Sequence, residues 1–171
     1  MRLEYSFYKR HVVEVAKDLL GKKLVLGNIQ GIITETEAYR GFDDEASHAY
    51  CGITKRNQVM FGPPGYSYVY MIYGVHYCFN IVSEEQGVPG AVLIRGLQLP
   101  EIHLNGPGKL CAQLGITKEH NGINLCESNY MFVEGSTKIH SYLTTRRIGI
   151  KKAIEKPWRF ILQQSRSKRN T

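Results

Sequence analysis

The sequence predicts a single compact domain of mixed α/β (α+β) class, with a mostly antiparallel sheet and surrounding helices. Three observations carry this. Residues 66–72 and 77–82 alternate like two strands joined around Gly74. Residues 91–97 form a continuous apolar run, as expected of a buried strand. Residues 11–20 place Val12, Val13, Ala16, Leu19 and Leu20 at helical spacing. A length of 171 residues fits one domain with a sizeable core.

Taken in order, the helix over 11–20 is ended by Gly21. Lys23–Leu26 and Ile29–Tyr39 are expected strands, with Gly27-Asn28 as their turn. Asp43 or Asp44 is placed to cap a short helix over 45–50. Gly62-Pro63-Pro64-Gly65 breaks regular structure before the two alternating strands. After the apolar strand, Gly106-Pro107-Gly108 leads into a helix over 109–114. No repeat and no long linker divides the chain, so the domain is expected over 1–164, followed by a basic, disordered tail at 165–171.

Composition narrows the function classes. A hydrophobic content of 43% with 22% charged residues is that of a globular protein. No apolar run approaches the roughly 20 residues of a membrane span. The first residues lack the apolar stretch of a signal peptide, so the expected location is the cytoplasm, on the nucleoid in a bacterium, with thiols reduced. Cys51, Cys78, Cys111 and Cys126 contain no C-x-x-C pair, which argues for packing roles rather than a zinc knuckle. The net charge of +7 is uneven: residues 145–171 carry +8 and the first 144 carry −1. Such a basic end favours a polyanionic partner through counterion release, against the simpler role of a solubilising tail.

The chemistry concentrates in two stretches. In a strand, Ile33, Glu35, Glu37 and Tyr39 share one face, so two carboxylates and a phenol stand together where an apolar strand opens into a polar loop. That set suits general acid–base work, with either Glu35 or Glu37 as the base; facing solvent, it would be a polar strand surface. Asp43, Asp44, Glu45 and His48 are a weak metal set, since no second histidine is near and acids at a helix start normally cap it. Between Phe61 and Phe79, seven of nineteen residues are Phe or Tyr. Tyr66, Tyr68 and Tyr70 share a strand face, usually a matter of sheet packing. Tyr73 differs, because it precedes Gly74 at the reversal and should stand at a hairpin tip, where an aromatic can wedge between bases. Asn80 faces opposite Phe79 and is either a pocket wall or a strand hydrogen-bonder. Arg95, ending the run Ala91-Val92-Leu93-Ile94, needs an anion, either a carboxylate or a phosphate. Gly106-Pro107-Gly108-Lys109 lacks the spacing of a phosphate-binding loop.

These residues resemble a known family. Glu35-Thr36-Glu37-Ala38-Tyr39 with Asp44-Glu45-Ala46-Ser47-His48 is similar to the signature of the alkyladenine (3-methyladenine) DNA glycosylases, the mammalian-type methylpurine DNA glycosylases. The similarity continues through Arg56-Asn57, Met60-Phe61, Tyr68-Val69-Tyr70, Tyr73-Gly74, Cys78, Asn80, Leu93-Ile94-Arg95, Gly106 to Cys111, Arg147 to Ile150 and Lys156 to Phe160. The blocks occur in order and span residues 9 to 162; together they are specific, and none would be alone.

The resemblance implies a fold like the C-terminal domain of methionyl-tRNA formyltransferase. It also implies a monofunctional hydrolase of N-glycosyl bonds in base excision repair, which flips alkylated or deaminated purines from duplex DNA. It makes Glu37 the base that activates water, with Arg95 helping to hold that water and the nucleotide. Tyr39, His48 and Tyr70 would line the base pocket, Asn80 would exclude guanine through its amino group, and the backbone around Ile150 would close it. Tyr73 would fill the gap in the duplex. Lys109, Arg147, Lys151 and Lys152 are the expected backbone contacts. The implied partner is double-stranded DNA carrying 3-methyladenine, 7-methylguanine, hypoxanthine or ethenoadenine, bound by a monomer without cofactor, metal or membrane. No lysine occupies a Schiff-base position in these blocks. One departure is the short connection of residues 96–105, which in mammalian members is much longer. The rivals are a non-catalytic nucleic-acid-binding module and a free-nucleoside hydrolase. A binder needs no water-activating acid, and a nucleoside hydrolase needs neither an exposed Tyr73 nor a basic end.

Overall fold

The structure is a computed structural model that describes residues 1–135 and 141–163; the tail expected at 165–171 lies outside the described residues. The chain begins with a short helix α1 (Tyr5–Tyr8) and α2 (Val12–Leu19), then β1 (Lys23–Leu26) and β2 (Ile29–Arg40). After a long loop come β3 (Ser67–Ile72), β4 (His76–Ser83), β5 (Gly90–Gln98) and β6 (His103–Asn105). Helix α3 (Pro107–Leu114), β7 (Met131–Glu134), β8 (Tyr142–Thr145) and β9 (Arg159–Leu162) complete it. The main sheet runs β3-β4-β5-β2-β1-β7, with β6 on β5 and the β8–β9 hairpin joined through β9 to β2. Every ladder among the described residues is antiparallel, as the alternating and hairpin-forming segments predict.

The helices form for local reasons. His11 caps α2 by accepting the Val13 N–H on its ring nitrogen, and Val12, Val15, Ala16 and Leu19 bury one face. Thr36 ties that helix to β2 by donating its hydroxyl to the Ala16 carbonyl at 2.8 Å. Pro107 occupies the first turn of α3 and left-handed Gly115 ends it, so Leu110, Cys111 and Leu114 pack inward. The core includes Leu19, Leu24, Ile33, Phe79, Ile94 and Phe160, all essentially inaccessible to solvent.

Two expectations are corrected. No helix forms over 45–50: the segment is a run of turns, with Ser47 donating to the Asp44 carbonyl and Tyr50 to that of Ser47. Asp44 is buried and occupied by Arg147, and it accepts the Ala46 N–H in a tight turn instead of capping a helix. Nor does Ile33 stand with the carboxylates. The β2–β5 register shifts on either side of Glu35, and Ile33 joins the apolar core with Ala38.

Candidate active site

Strand register assembles the site. Tyr68 of β3 pairs with Asn80 of β4, Asn80 with Leu93 of β5, Leu93 with Glu37 of β2, and Glu37 with Arg159 of β9. Directly opposed residues of antiparallel strands project to one side, so these five side chains form a row across five strands. Above the row opens a cleft of about 660 Å³. Tyr39, His48, Tyr70, Asn80, Arg95 and Ile150 all line it, as do Tyr73 at the rim and Lys151 and Lys152 at the mouth.

The aromatic wall is tightly built. The His48 ring meets Tyr70 edge-on with centroids 4.4 Å apart, and its Nδ1 lies 3.3 Å from the Tyr68 hydroxyl. Burial and the nearby Arg56 guanidinium lower the His48 pKa, which keeps the imidazole neutral at pH 7. Burial raises the phenols of Tyr39 and Tyr70 well above the usual tyrosine range, so both remain hydroxyls. Asn80 is buried and donates its side-chain amide to the Tyr68 carbonyl at 3.2 Å, so both of its candidate roles are met at once: it bonds the strand and it faces the cleft.

The carboxylates separate by environment. Glu35 accepts the Nε protons of Arg95 at 3.2 Å and Arg159 at 2.6 Å. Glu37 is completely inaccessible to solvent. Its Oε1 accepts the Tyr39 hydroxyl at 2.8 Å and lies 3.6 Å from Arg95 Nη1, and its Oε2 accepts the Ile148 N–H at 2.6 Å. Burial raises its pKa, opposed by Arg95, the Ile148 and Tyr39 hydrogen bonds, and Arg159. Glu37 therefore sits just behind the cleft wall, and Tyr39, Arg95 and Ile148, its three neighbours, are the wall. Glu35, held by two guanidinium groups, is committed to an ion pair; Glu37, reluctant to ionise and beside the cleft, has the environment of a general base.

Tyr73 stands where the sequence placed it, at the β3–β4 tip and 87% exposed. Both central residues of the Ile72–Val75 turn have positive φ, 52° at Tyr73 and 68° at Gly74, and Val75 N–H donates back to the Ile72 carbonyl. That is the backbone of a type I′ turn, which suits Gly and Asn and strains a tyrosine. An aromatic kept in a strained, solvent-exposed position points to use by a partner.

The phosphate-contact set divides. Lys109, Lys151 and Lys152 are exposed. Arg147 is not: its side chain and that of Asp44 are both fully buried in an ion pair at 2.6 Å, so it cannot reach a DNA backbone. Its sequence neighbour Arg146 is exposed instead. Sequence reasoning gave no role to Arg56, which lines the cleft, donates to the Met71 carbonyl at 2.7 Å and lies over the Tyr70 ring. Its place between Thr54-Lys55 and the short 3-10 helix Gln58–Phe61 carried no periodicity to reveal it.

A family model described as methylpurine-DNA glycosylase matches residues 6–166. A protein of Ehrlichia chaffeensis is 52% identical over 166 residues, covering 94% of this chain and 92% of its own. One of Sodalis glossinidius is 52% identical over 161 residues, covering 92% and 95%. A third, from Wolbachia pipientis wMel, is 54% identical over 161 residues, covering 92% and 89%. All three are named, provisionally, 3-methyladenine DNA glycosylases. With a family model spanning nearly its whole length and relatives at half identity, this chain belongs to the methylpurine-DNA glycosylase family.

Proposed function

We propose that the protein excises alkylated or deaminated purines, 3-methyladenine foremost, by hydrolysis at C1′ of a nucleotide flipped into the 660 Å³ cleft. The observation that carries this is Glu37 behind a wall of Tyr39, Arg95 and Ile148, beneath an aromatic pocket. The Glu37 carboxylate takes a proton from water as the water oxygen bonds to C1′. The N-glycosidic bond breaks with its electron pair leaving on the base, and the products are free base and an abasic site. For 3-methyladenine or 7-methylguanine the departing pair neutralises a positive charge, so no acid is needed. The faces of Tyr70 and Tyr39 attract that cation. Neutral lesions such as hypoxanthine or ethenoadenine need a proton on the leaving base, and His48, held neutral, is a poor source of it.

Arg146, Lys151 and Lys152 are exposed, the two lysines at the cleft, and in this reading they contact the phosphates flanking the flipped nucleotide. Each phosphate contact contributes about 0.9 to the slope of log K against log salt. Changing Lys151 and Lys152 together to Gln is expected to reduce that slope by about 2, measured by titrating duplex binding from low to high salt. An unchanged slope would remove them from the interface.

The test of function uses methylated DNA and duplexes holding one hypoxanthine or one ethenoadenine, with EDTA present. Free base and alkali-labile sites are expected in equal amounts from methylated DNA, without a borohydride-trappable adduct. Tight binding with no release from any substrate would instead favour a non-catalytic binding module.

A further inference from the structure

The buried Arg147–Asp44 pair has geometry beyond what a structural ion pair requires. The guanidinium reaches three parts of the chain. Nη1 donates to Asp44 Oδ2 at 2.6 Å and to the Ala38 carbonyl of β2 at 2.9 Å; Nη2 donates to Asp44 Oδ1 at 2.8 Å and to the Ala153 carbonyl at 3.2 Å. Its Cζ lies over the rings of Tyr39 and Trp158, 4.7 and 5.4 Å from their centroids. Asp44 also accepts the backbone N–H groups of Arg40 and Ala46. One side chain thus fastens the strap 147–153 to the loop that leads to His48 and to the strand that carries Glu37. The residue after it, Ile148, puts its N–H on Glu37 Oε2 at 2.6 Å.

We propose that Arg147 is a positioning residue for base excision: clamped on Asp44, it holds the strap so that the Ile148 N–H orients the Glu37 carboxylate. The inference rests on the glycosylase reading above. A bidentate guanidinium fixes direction as well as distance, which a lysine at the same place cannot do. Its effect reaches the chemistry through the backbone, since a hydrogen bond to a carboxylate favours the charged form. The other groups facing Glu37 are Tyr39 and Glu35 on its own strand, Arg95 on β5, Arg159 on β9 and Cys78 on β4. None of them lies on the strap, but Arg147 also packs on Tyr39, so the exchange of the Ile148 amide is what separates the strap's contribution from that of Tyr39. The exposed Lys151 and Lys152 lie on the same strap, at the cleft.

The test compares wild type with the double variant Asp44→Asn, Arg147→Gln. Removing both charges avoids leaving one buried and unpaired. Single-turnover release from methylated duplex is expected to fall about 10²-fold at saturating protein, the cost of a carboxylate displaced by about 1 Å. The acid limb of its pH profile is expected to move to higher pH, and the Ile148 amide to exchange faster with deuterium. Arg147→Lys should fall between the two, and it carries the same comparison if the double variant does not fold. A variant with a lower Tm but the wild-type rate per active site and the wild-type acid limb would make the pair merely structural. A wild type that releases no base overturns the glycosylase reading instead. The exchange arm still decides the latch in that case, and unchanged protection of Ile148 refutes it.

Discussion

Replacing Glu37 by Gln is expected to slow base release by about 10²–10⁴-fold, the range a general base contributes, while affinity for lesion duplex survives. Glu37 is fully buried, makes no contact with the cleft mouth, and touches substrate only through the water it activates. Loss of its charge therefore removes chemistry and leaves the aromatic pocket, Tyr73 and the surface lysines in place. The same variant should be at least as stable as wild type at pH 7. Because the folded pKa of Glu37 is raised, its contribution to stability is complete below the unfolded pKa and is lost as pH rises through the folded one. At pH 7 its ionised form costs stability, and an uncharged amide does not. Thermal unfolding at pH 5 and pH 8 checks the sign: the variant should gain on wild type as pH rises. Retained turnover in this variant would remove Glu37 from the role of base and return attention to Glu35.

Tyr73→Asn should separate stability from function. Tyrosine at φ 52° carries about 1 kcal/mol or more of backbone strain, and Asn followed by Gly74 is the preferred pair for a type I′ turn. The variant is expected to melt about 2–4 °C higher, the shift that ~1 kcal/mol produces in a chain of this size. Its affinity for a lesion duplex should fall roughly tenfold or more, from the ~1–3 kcal/mol that an aromatic contributes by stacking on bases. Undamaged duplex, from which nothing is flipped, should bind nearly as before. Equal losses on both duplexes, or a lower Tm, would mean that the tyrosine is held there by packing rather than by its use as a wedge.

Much of this was legible in the sequence, for reasons that differ by residue. Strands, helices and the Tyr73 tip follow from short-range signals: period-two alternation, helical spacing, and Gly74 at a reversal. The choice between Glu35 and Glu37 did not, because side-chain alternation puts both on one face. It took Arg159, paired across β9, to commit Glu35 to an ion pair. Asp44 read as a helix cap because acids before a short polar run usually are, and Arg147 read as a phosphate contact because it sits in the most basic part of the chain. Each is the other's partner across 103 residues, and local pattern carries no trace of such a pairing. The row from Tyr68 to Arg159 is also a product of long-range register, so its members were found separately and only the fold joins them.

In this mechanism Glu37, reluctant to ionise, is the base. The pH dependence of single-turnover release of 3-methyladenine from methylated duplex, with EDTA present, tests it most directly. The lesion is permanently cationic and leaves without a proton, so no acid on the leaving group enters the profile, and the part of the acid limb lost in Glu37→Gln reports the base. The rate should fall with decreasing pH, with a midpoint raised from the ordinary glutamate value because Glu37 is buried, and that limb should vanish in Glu37→Gln. A flat profile in wild type, or the same limb retained in Glu37→Gln, would contradict it.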